Sequence, residues 1–228
     1  MKTNLTQLTV QVGGMFVVIA LALFIATGTV AWPAGWVFWA LFLVFTVAIS
    51  RWLLRHNPGL LTERMTGIGK ADQKTWDKVF FVLAQLYFIT WLVVMPLDAV
   101  RFRWSSMPTW LQVVGALMLL GSFYLFFLIF RENAFLSPAV RLQTERGHTV
   151  VSTGPYRYVR HPMYATAGIF LAGTALLLGS WVGLIMALIL VIGIAFRAVQ
   201  EERTLRTELP GYEAYMAQVR YRLVPFVW

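Results

Sequence analysis

Residues 163–196 read MYATAGIFLAGTALLLGSWVGLIMALILVIGIAF, an apolar stretch that is too long for one ordinary membrane span. A spanning helix needs about 20 apolar residues. The tripeptide Gly179-Ser180-Trp181 divides the stretch and is typical of a tight turn. We therefore predict a helical hairpin, with one helix over residues 163–178 and a second over residues 181–196. Each helix is near the lower length limit for crossing a bilayer.

The rest of the chain has the composition of an integral membrane protein. It is 59% hydrophobic and 13% charged, whereas soluble domains contain about 25% charged residues. Four further apolar runs are long enough to cross a bilayer: residues 13–31, 36–54, 79–100 and 110–130. We expect an all-α fold, a polytopic membrane helical bundle with five or six transmembrane helices, depending on whether both hairpin helices fully cross.

No linker divides the chain, so we expect one integral membrane domain over residues 1–228. Its N-terminal spans lie in residues 1–130, and its polar motifs lie in residues 131–228. The polar segment 55–78 is predicted to form either a short surface helix or a plain connecting loop. Cysteine is absent, which excludes disulfides, thiolate metal sites and cysteine nucleophiles, and we expect no metal.

The basic residues predict the orientation of the bundle. If the N-terminus is cytoplasmic, every lysine and arginine except Arg101 and Arg103 falls on the cytoplasmic side. This distribution follows the positive-inside rule and accounts for the net charge of +9 without a nucleic-acid partner. Both termini are then cytoplasmic, and residues 131–162 and 197–228 lie on the same face of the membrane.

One of these two segments contains GPYRYVRHPMY at residues 154–164. Gly and Pro interrupt any regular helix at its start, and Pro162 suits the first turn of the next helix. The free amides at that helix start, together with Arg157, Arg160 and His161, predict an anion-binding site at the membrane surface. A cluster that binds the phosphates of membrane lipids is the alternative.

The second segment begins with Glu201 and Glu202 at the end of an apolar helix. Adjacent helical residues point about 100° apart, so one glutamate should face the interior while the other meets solvent or a basic neighbour. Glu202 and Arg206 also have the spacing of an ordinary helical ion pair. A carboxylate on the same membrane face as a basic motif suggests recognition of a zwitterion, with the glutamate taking the ammonium group.

Together, VVSTGPYRYVRHPMY at residues 150–164 and EERTLRTELPGYEAYMAQVRYRLVPFVW at residues 201–228 resemble the isoprenylcysteine carboxyl methyltransferase family. The wider group includes membrane phospholipid methyltransferases, and the resemblance covers residues 131–228. It implies an S-adenosylmethionine-dependent methyltransferase whose active site is on the cytoplasmic side. The residues that it assigns to the cofactor are Gly154, Tyr156, His161, Pro162, Tyr164, Glu201 and Glu202. It assigns acceptor-orienting, catalytic roles to Arg160 and Arg220, and Arg222 competes with Arg220.

The chemistry weakly favours a carboxylate acceptor on a lipophilic, prenylcysteine-like molecule that enters from the membrane. A carboxylate with a free pKa of about 3.5 is ionised near pH 7 and needs no general base. A phospholipid amine or a small thiol remains open as the acceptor. An NADPH-dependent membrane sterol reductase shares the RHPxY pattern but differs at the glutamate pair, and a non-enzymatic lipid-binding protein would leave that pair unexplained.

Overall fold

The computed structural model describes residues 5–66, 69 and 73–228, and this part of the chain is helical without strands. Its α-helices are α1 Leu5–Thr27, α2 Pro33–His56, α3 Pro58–Thr66, α4 Thr75–Pro96, α5 Thr109–Glu132, α6 Pro162–Leu178, α7 Trp181–Glu208 and α8 Tyr212–Gln218. Helix α4 continues as a π-helical turn, Leu97–Arg101. Helices α1, α2, α4 with its extension, α5 and α7 are long and apolar enough to cross a membrane, and α6 is a shorter apolar helix of 17 residues. The predicted all-α membrane bundle is confirmed, and its orientation stays a prediction.

The predicted hairpin consists of α6 and α7, joined by Gly179 and Ser180. Gly179 ends α6 with a φ of +80°, a left-handed conformation that glycine adopts without a steric penalty. The Ser180 side chain caps α7 by accepting a hydrogen bond from the amide of Gly183. Helix α7 runs on to Glu208, beyond the apolar stretch that ends at Phe196, and so carries both glutamates, as their expected helical positions require.

Two glycines allow α5 and α6 to pack backbone against backbone. A Cβ atom on Gly115 would lie 2.4 Å from the amide nitrogen of Leu177, and one on Gly173 would lie 3.0 Å from the carbonyl oxygen of Gly115. Small residues at helix crossings are typical of membrane bundles. Gly121 on α5 and Gly168 on α6 do not mark such a crossing. A Cβ atom on Gly121 would have no neighbour within 4 Å, and one on Gly168 would lie 3.5 Å from the Val191 side chain.

Helix α3 covers the end of the bundle at which α6 begins. Its first turn is capped by Asn57, whose side-chain oxygen accepts from the amide of Leu60 at 3.0 Å. Leu60 and Leu61 are buried against α2 and α5. Glu63, 4% exposed, accepts hydrogen bonds from Nε and Nη2 of Arg141, each at 3.0 Å. Segment 55–78 therefore contains a short helix that is pinned to the loop between α5 and α6.

Candidate active site

A cavity of about 620 Å³ lies at the end of the bundle where α6 begins and α7 carries its glutamates. Helices α1, α3, α4, α6, α7 and α8 and the loop between α5 and α6 all contribute to its lining. The sequence-predicted residues that line it are Tyr156, Arg160, His161, Pro162, Tyr164 and Glu201. Segments that are distant in sequence thus bring most of the predicted site together around one space.

Glu201 faces this cavity and is held from one side. Its Oε2 atom accepts a hydrogen bond from the hydroxyl of Tyr164 at 2.5 Å and lies 4.0 Å from Nδ1 of His161. The Tyr164 hydroxyl in turn accepts from Nη1 of Arg197 at 2.7 Å, and the ring of Tyr164 stacks on that of His161. Glu201 has no arginine or lysine within ion-pair distance among the described residues, so its negative charge is available to a ligand.

Arg197 joins this row of hydrogen bonds to α4. Its Nε atom donates to Oδ1 of Asp77 at 2.9 Å, and its Nη2 atom donates to the carbonyl of Pro138 at 2.6 Å. Asp77 is fully buried and accepts at Oδ2 from Gln73 and from the amide of Val140, both at 2.8 Å. The ion pair between Asp77 on α4 and Arg197 on α7 therefore holds both Tyr164 and the loop between α5 and α6, which lines one side of the cavity.

Glu202 points away from the cavity and is 3% exposed. Its two oxygens accept from Nε of Arg160 at 2.6 Å and from Nε of Arg222 at 2.8 Å. Nε2 of His161 lies 3.3 Å from Oε1 but is not aligned for a hydrogen bond. The ordinary helical pair that the spacing of Glu202 and Arg206 allowed is not formed, because Glu202 faces the interior and Arg206 pairs with Glu213 at 3.2 Å.

Arg160 ties the C-terminal tail to the start of α6. Its Nη1 atom donates to the carbonyls of Val219 and Arg220 at 2.7 and 2.8 Å. The amides of Arg160 and His161 donate to the carbonyls of Tyr221 and Arg222, both at 2.9 Å. Nη2 of Arg160 makes no hydrogen bond with the described residues. Arg160 thus lines the cavity with one donor nitrogen to spare, while its other atoms hold the tail in place.

Besides Glu202, two predicted site residues lie outside the cavity lining. The Arg220 side chain is exposed, and only its carbonyl joins the network around Arg160. Gly154 opens a 3₁₀ turn with a φ of +54°, and a Cβ atom there would lie 2.9 Å from the Glu132 carboxylate. The turn geometry accounts for the glycine, and the roles assigned to Arg220 and Gly154 stay predictions.

Two buried polar atoms of cavity-lining residues have no hydrogen-bond partner among the described residues: Nε2 of His161 and the hydroxyl of Tyr212. Burial raises the pKa of Tyr212 above its ordinary value, so the hydroxyl stays protonated at neutral pH. Burial likewise raises the pKa of Tyr156, whose hydroxyl accepts from the Asn133 side chain at 2.9 Å. Unsatisfied buried groups are rare in folded proteins. Nε2 of His161 faces the Glu202 carboxylate, whereas the Tyr212 hydroxyl marks the cavity as a place for a polar ligand.

Sequence reasoning did not assign several residues that build the site, among them Asp77, Arg197 and Arg64. Arg197 could have been noticed as the first charge after the apolar stretch 163–196, and Asp77 as the acidic residue in the first turn of α4. No pattern in the sequence connects Arg64 with the motifs 90 or more residues later. The described residues contain no group of three His, Cys, Asp or Glu side chains that could hold a metal ion.

Comparisons with known proteins bear on the part of the chain that contains most of this site. No curated protein matches the chain. The family model described as phospholipid methyltransferase matches residues 110–209, which run from the start of α5 to the residue after α7. The matched segment includes the motif of residues 154–164, Arg197 and both glutamates. Over these residues the chain is therefore similar to the phospholipid methyltransferase family, a group of membrane methyltransferases.

Proposed function

We propose that the chain is an integral membrane methyltransferase that uses S-adenosylmethionine and methylates the carboxylate of a lipophilic, isoprenylcysteine-like acceptor. The observation that carries this proposal is the cavity beside the start of α6, which combines the carboxylate of Glu201, without an arginine or lysine partner among the described residues, with the unpaired hydroxyl of Tyr212. The family match of residues 110–209 supports methyl transfer as the reaction class.

The residues present fit the amino-acid end of the cofactor. Glu201 would accept hydrogen bonds from the ammonium group, since the Tyr164 hydroxyl occupies only one side of its carboxylate. Arg197 and Asp77 would keep Tyr164, and through it Glu201, in a fixed orientation. The unpaired hydroxyl of Tyr212 supplies a further polar contact in the same cavity. S-adenosylmethionine supplies the transferable methyl group as part of a sulfonium.

The cavity also reaches apolar helices, which supports a lipophilic acceptor. Met15 on α1 and Phe81 and Gln85 on α4 belong to its lining. Gln85 is two turns along α4 from Asp77, about 12 Å deeper at 1.5 Å per residue. Met15 is 39% exposed on the outer surface of the bundle. An acceptor with an apolar tail could therefore enter between α1 and α4 while its polar end reaches Glu201.

Methyl transfer from a sulfonium depends on holding donor and acceptor close and in line. A carboxylate acceptor is already ionised, so the chain has to orient it and need not deprotonate it. We assign this task to Arg160 through its free Nη2 atom, and Arg220 remains the predicted second arginine. Arg222 is the competing residue, because its guanidinium already pairs with Glu202 beside the cavity.

A phospholipid amine is the second candidate acceptor, and a small thiol is a third. The description of the matching family model favours the phospholipid. An amine must lose its proton before it can attack, and the His161 ring, whose Nδ1 atom lies 4.0 Å from Oε2 of Glu201, is the group that could receive it. A membrane sterol reductase remains the alternative from another enzyme class, and it requires NADPH.

Calorimetry on detergent-purified protein tests the cofactor directly. We expect S-adenosylmethionine and S-adenosylhomocysteine to bind and NADPH not to bind. Glu201→Gln should weaken the binding of both adenosylated ligands. Glu213→Gln is the matched control, because Glu213 is an exposed glutamate on α8. Binding of NADPH alone would refute the proposal.

The acceptor needs a separate assay, in which labelled methyl groups are followed into added substrates. A prenylcysteine with a free carboxylate, phosphatidylethanolamine vesicles and a small thiol are compared in parallel. Arg160→Ala, Arg220→Ala and Arg222→Ala are then tested for turnover at saturating cofactor. If Arg160→Ala and Arg220→Ala both keep full turnover, the assignment of orienting arginines is wrong.

A further inference from the structure

Arg64 on α3 is a cavity-lining residue that lies outside the segment matched by the family model. Helix α3 cannot turn freely, because Leu60 and Leu61 are buried on one side and Glu63 is bound by Arg141. Arg64 follows Glu63 and is therefore rotated from it by about 100° around the helix. The guanidinium carbon of Arg64 lies 4.8 Å from the centre of the Phe130 ring. The fold thus holds the Arg64 side chain at the wall of the cavity.

Arg64 differs from the other arginines of the cavity in having no anion beside it. Arg141 pairs with Glu63, Arg160 with Glu202, and Arg197 with Asp77. No carboxylate of the described residues pairs with Arg64. Arg64 is partly buried, and a charge that is removed even in part from water loses hydration without compensation unless an anion pairs with it.

The electrostatics of Arg64 agree with this isolation. Burial lowers the pKa of Arg64 to about 10, and the one opposing influence comes from Tyr156. The side chain still carries its charge at neutral pH. Among the described residues that line it, the cavity therefore contains one cation without an ion-pair partner, Arg64, and one carboxylate without an arginine or lysine partner, Glu201. The stacked Phe130 ring compensates the cation only in part, since such contacts are weak next to an ion pair.

We propose that Arg64 binds the anionic group, a carboxylate or a phosphate, of a ligand held in this cavity. The planar guanidinium presents a fork of N–H donors that matches either group. Two sources share this chemistry: the carboxylate of the cofactor's amino-acid end, and the anionic head of the methyl acceptor. The choice between them rests on the proposed function, whereas anion binding by Arg64 does not. The proposal gives the N-terminal half of the chain a direct part in ligand recognition.

Inorganic phosphate tests the anion site without any assumption about methyl transfer. We expect rising phosphate to increase the melting temperature of the wild type and not that of Arg64→Gln. Arg131→Gln is the matched control, because Arg131 is an exposed arginine at the end of the adjacent helix α5. Arg64→Lys keeps the positive charge but lacks the fork of guanidinium N–H donors, so its phosphate-induced rise in melting temperature should lie between those of the wild type and Arg64→Gln. This series also separates a loss of charge from a failure to fold.

Two further measurements identify the source of the anion. If it is the cofactor carboxylate, Arg64→Gln should bind S-adenosylhomocysteine roughly 10- to 100-fold more weakly. The same variant should bind 5′-methylthioadenosine, which lacks the amino-acid end, like the wild type. If it is the acceptor head, S-adenosylhomocysteine binding is unchanged and KM rises about 10-fold or more for farnesylcysteine or for phosphatidylethanolamine vesicles.

The proposal is overturned if Arg64→Gln equals the wild type in its phosphate response, its S-adenosylhomocysteine affinity and its acceptor KM. A wild type that responds to phosphate through Arg64 but binds no adenosylated ligand would refute the proposed function and leave the anion site standing. The two failures are therefore distinguishable.

Discussion

Replacing each of the two adjacent glutamates of α7 by glutamine is expected to change a different property: Glu202→Gln the stability of the fold, and Glu201→Gln the affinity for the ligand. Glu202→Gln removes the anion that holds Arg160 and Arg222 at 2.6 and 2.8 Å. Breaking a buried ion pair from one side typically costs about 3–5 kcal/mol, because the partner charge stays buried. At about 2–4 °C per kcal/mol for a chain of this length, the melting temperature should fall by roughly 10 °C.

Glu201→Gln should leave the fold almost intact. The Glu201 side chain is 24% exposed and is held by one tyrosine hydroxyl, a bond that the glutamine amide oxygen can still accept. A hydrogen bond to a charged group contributes about 1.5–3 kcal/mol. Losing the bond between the ligand's ammonium group and the charged carboxylate should therefore weaken the binding of S-adenosylhomocysteine by roughly 10- to 150-fold, at about 1.4 kcal/mol per factor of ten.

Thermal unfolding followed by intrinsic fluorescence, together with calorimetry, measures both effects on the same preparations. The expected pattern is a low melting temperature for Glu202→Gln and a low affinity with a normal melting temperature for Glu201→Gln. The reverse pattern would refute the assignment of Glu201 to the ligand and Glu202 to the fold. Glu213→Gln should match the wild type in both measurements.

Three further predictions follow from the packing and the loop. Gly115→Leu should destabilise the bundle by about 3 kcal/mol or prevent its folding, while Gly121→Ala, with open space around it, should be neutral in the same unfolding assay; equal effects would contradict the close helix crossing. Asp77→Asn should cost about 3 kcal/mol and expose the α5–α6 loop to protease, because it leaves the charge of Arg197 buried without an anion; unchanged proteolysis would count against that ion pair as the anchor of the loop. Burial lowers the pKa of His148 below 6.5, so its stabilising contribution is present above pH 6.5 and is lost as the pH falls towards the lowered value; melting temperatures measured from pH 8 to pH 5 should fall less for His148→Gln than for the wild type, and parallel curves would refute this.

Local sequence rules were sufficient to predict which segments form the apolar helices. The Gly179-Ser180 turn, the start of α6 at Pro162 and the apolar lengths of the spans depend on residues close together in the chain, so they could be predicted from the sequence. Helix α7 continues past its apolar part to Glu208, because a helix that leaves an apolar environment keeps its hydrogen bonds while its composition changes. The residue types of the site could also be recognised from two short motifs.

The distribution of roles within the site depends on tertiary packing. The sequence determined that α7 carries two glutamates, but the rotation of α7 against α4 and α6 decides that Glu201 faces the cavity and Glu202 the interior. The docking of the tail places Arg222, and not Arg220, beside Glu202. Likewise, Arg64 reaches the cavity only because α3 is clamped by contacts with distant segments. The sequence specifies which charges are present, and packing decides which of them are neutralised by the protein and which remain free for a ligand.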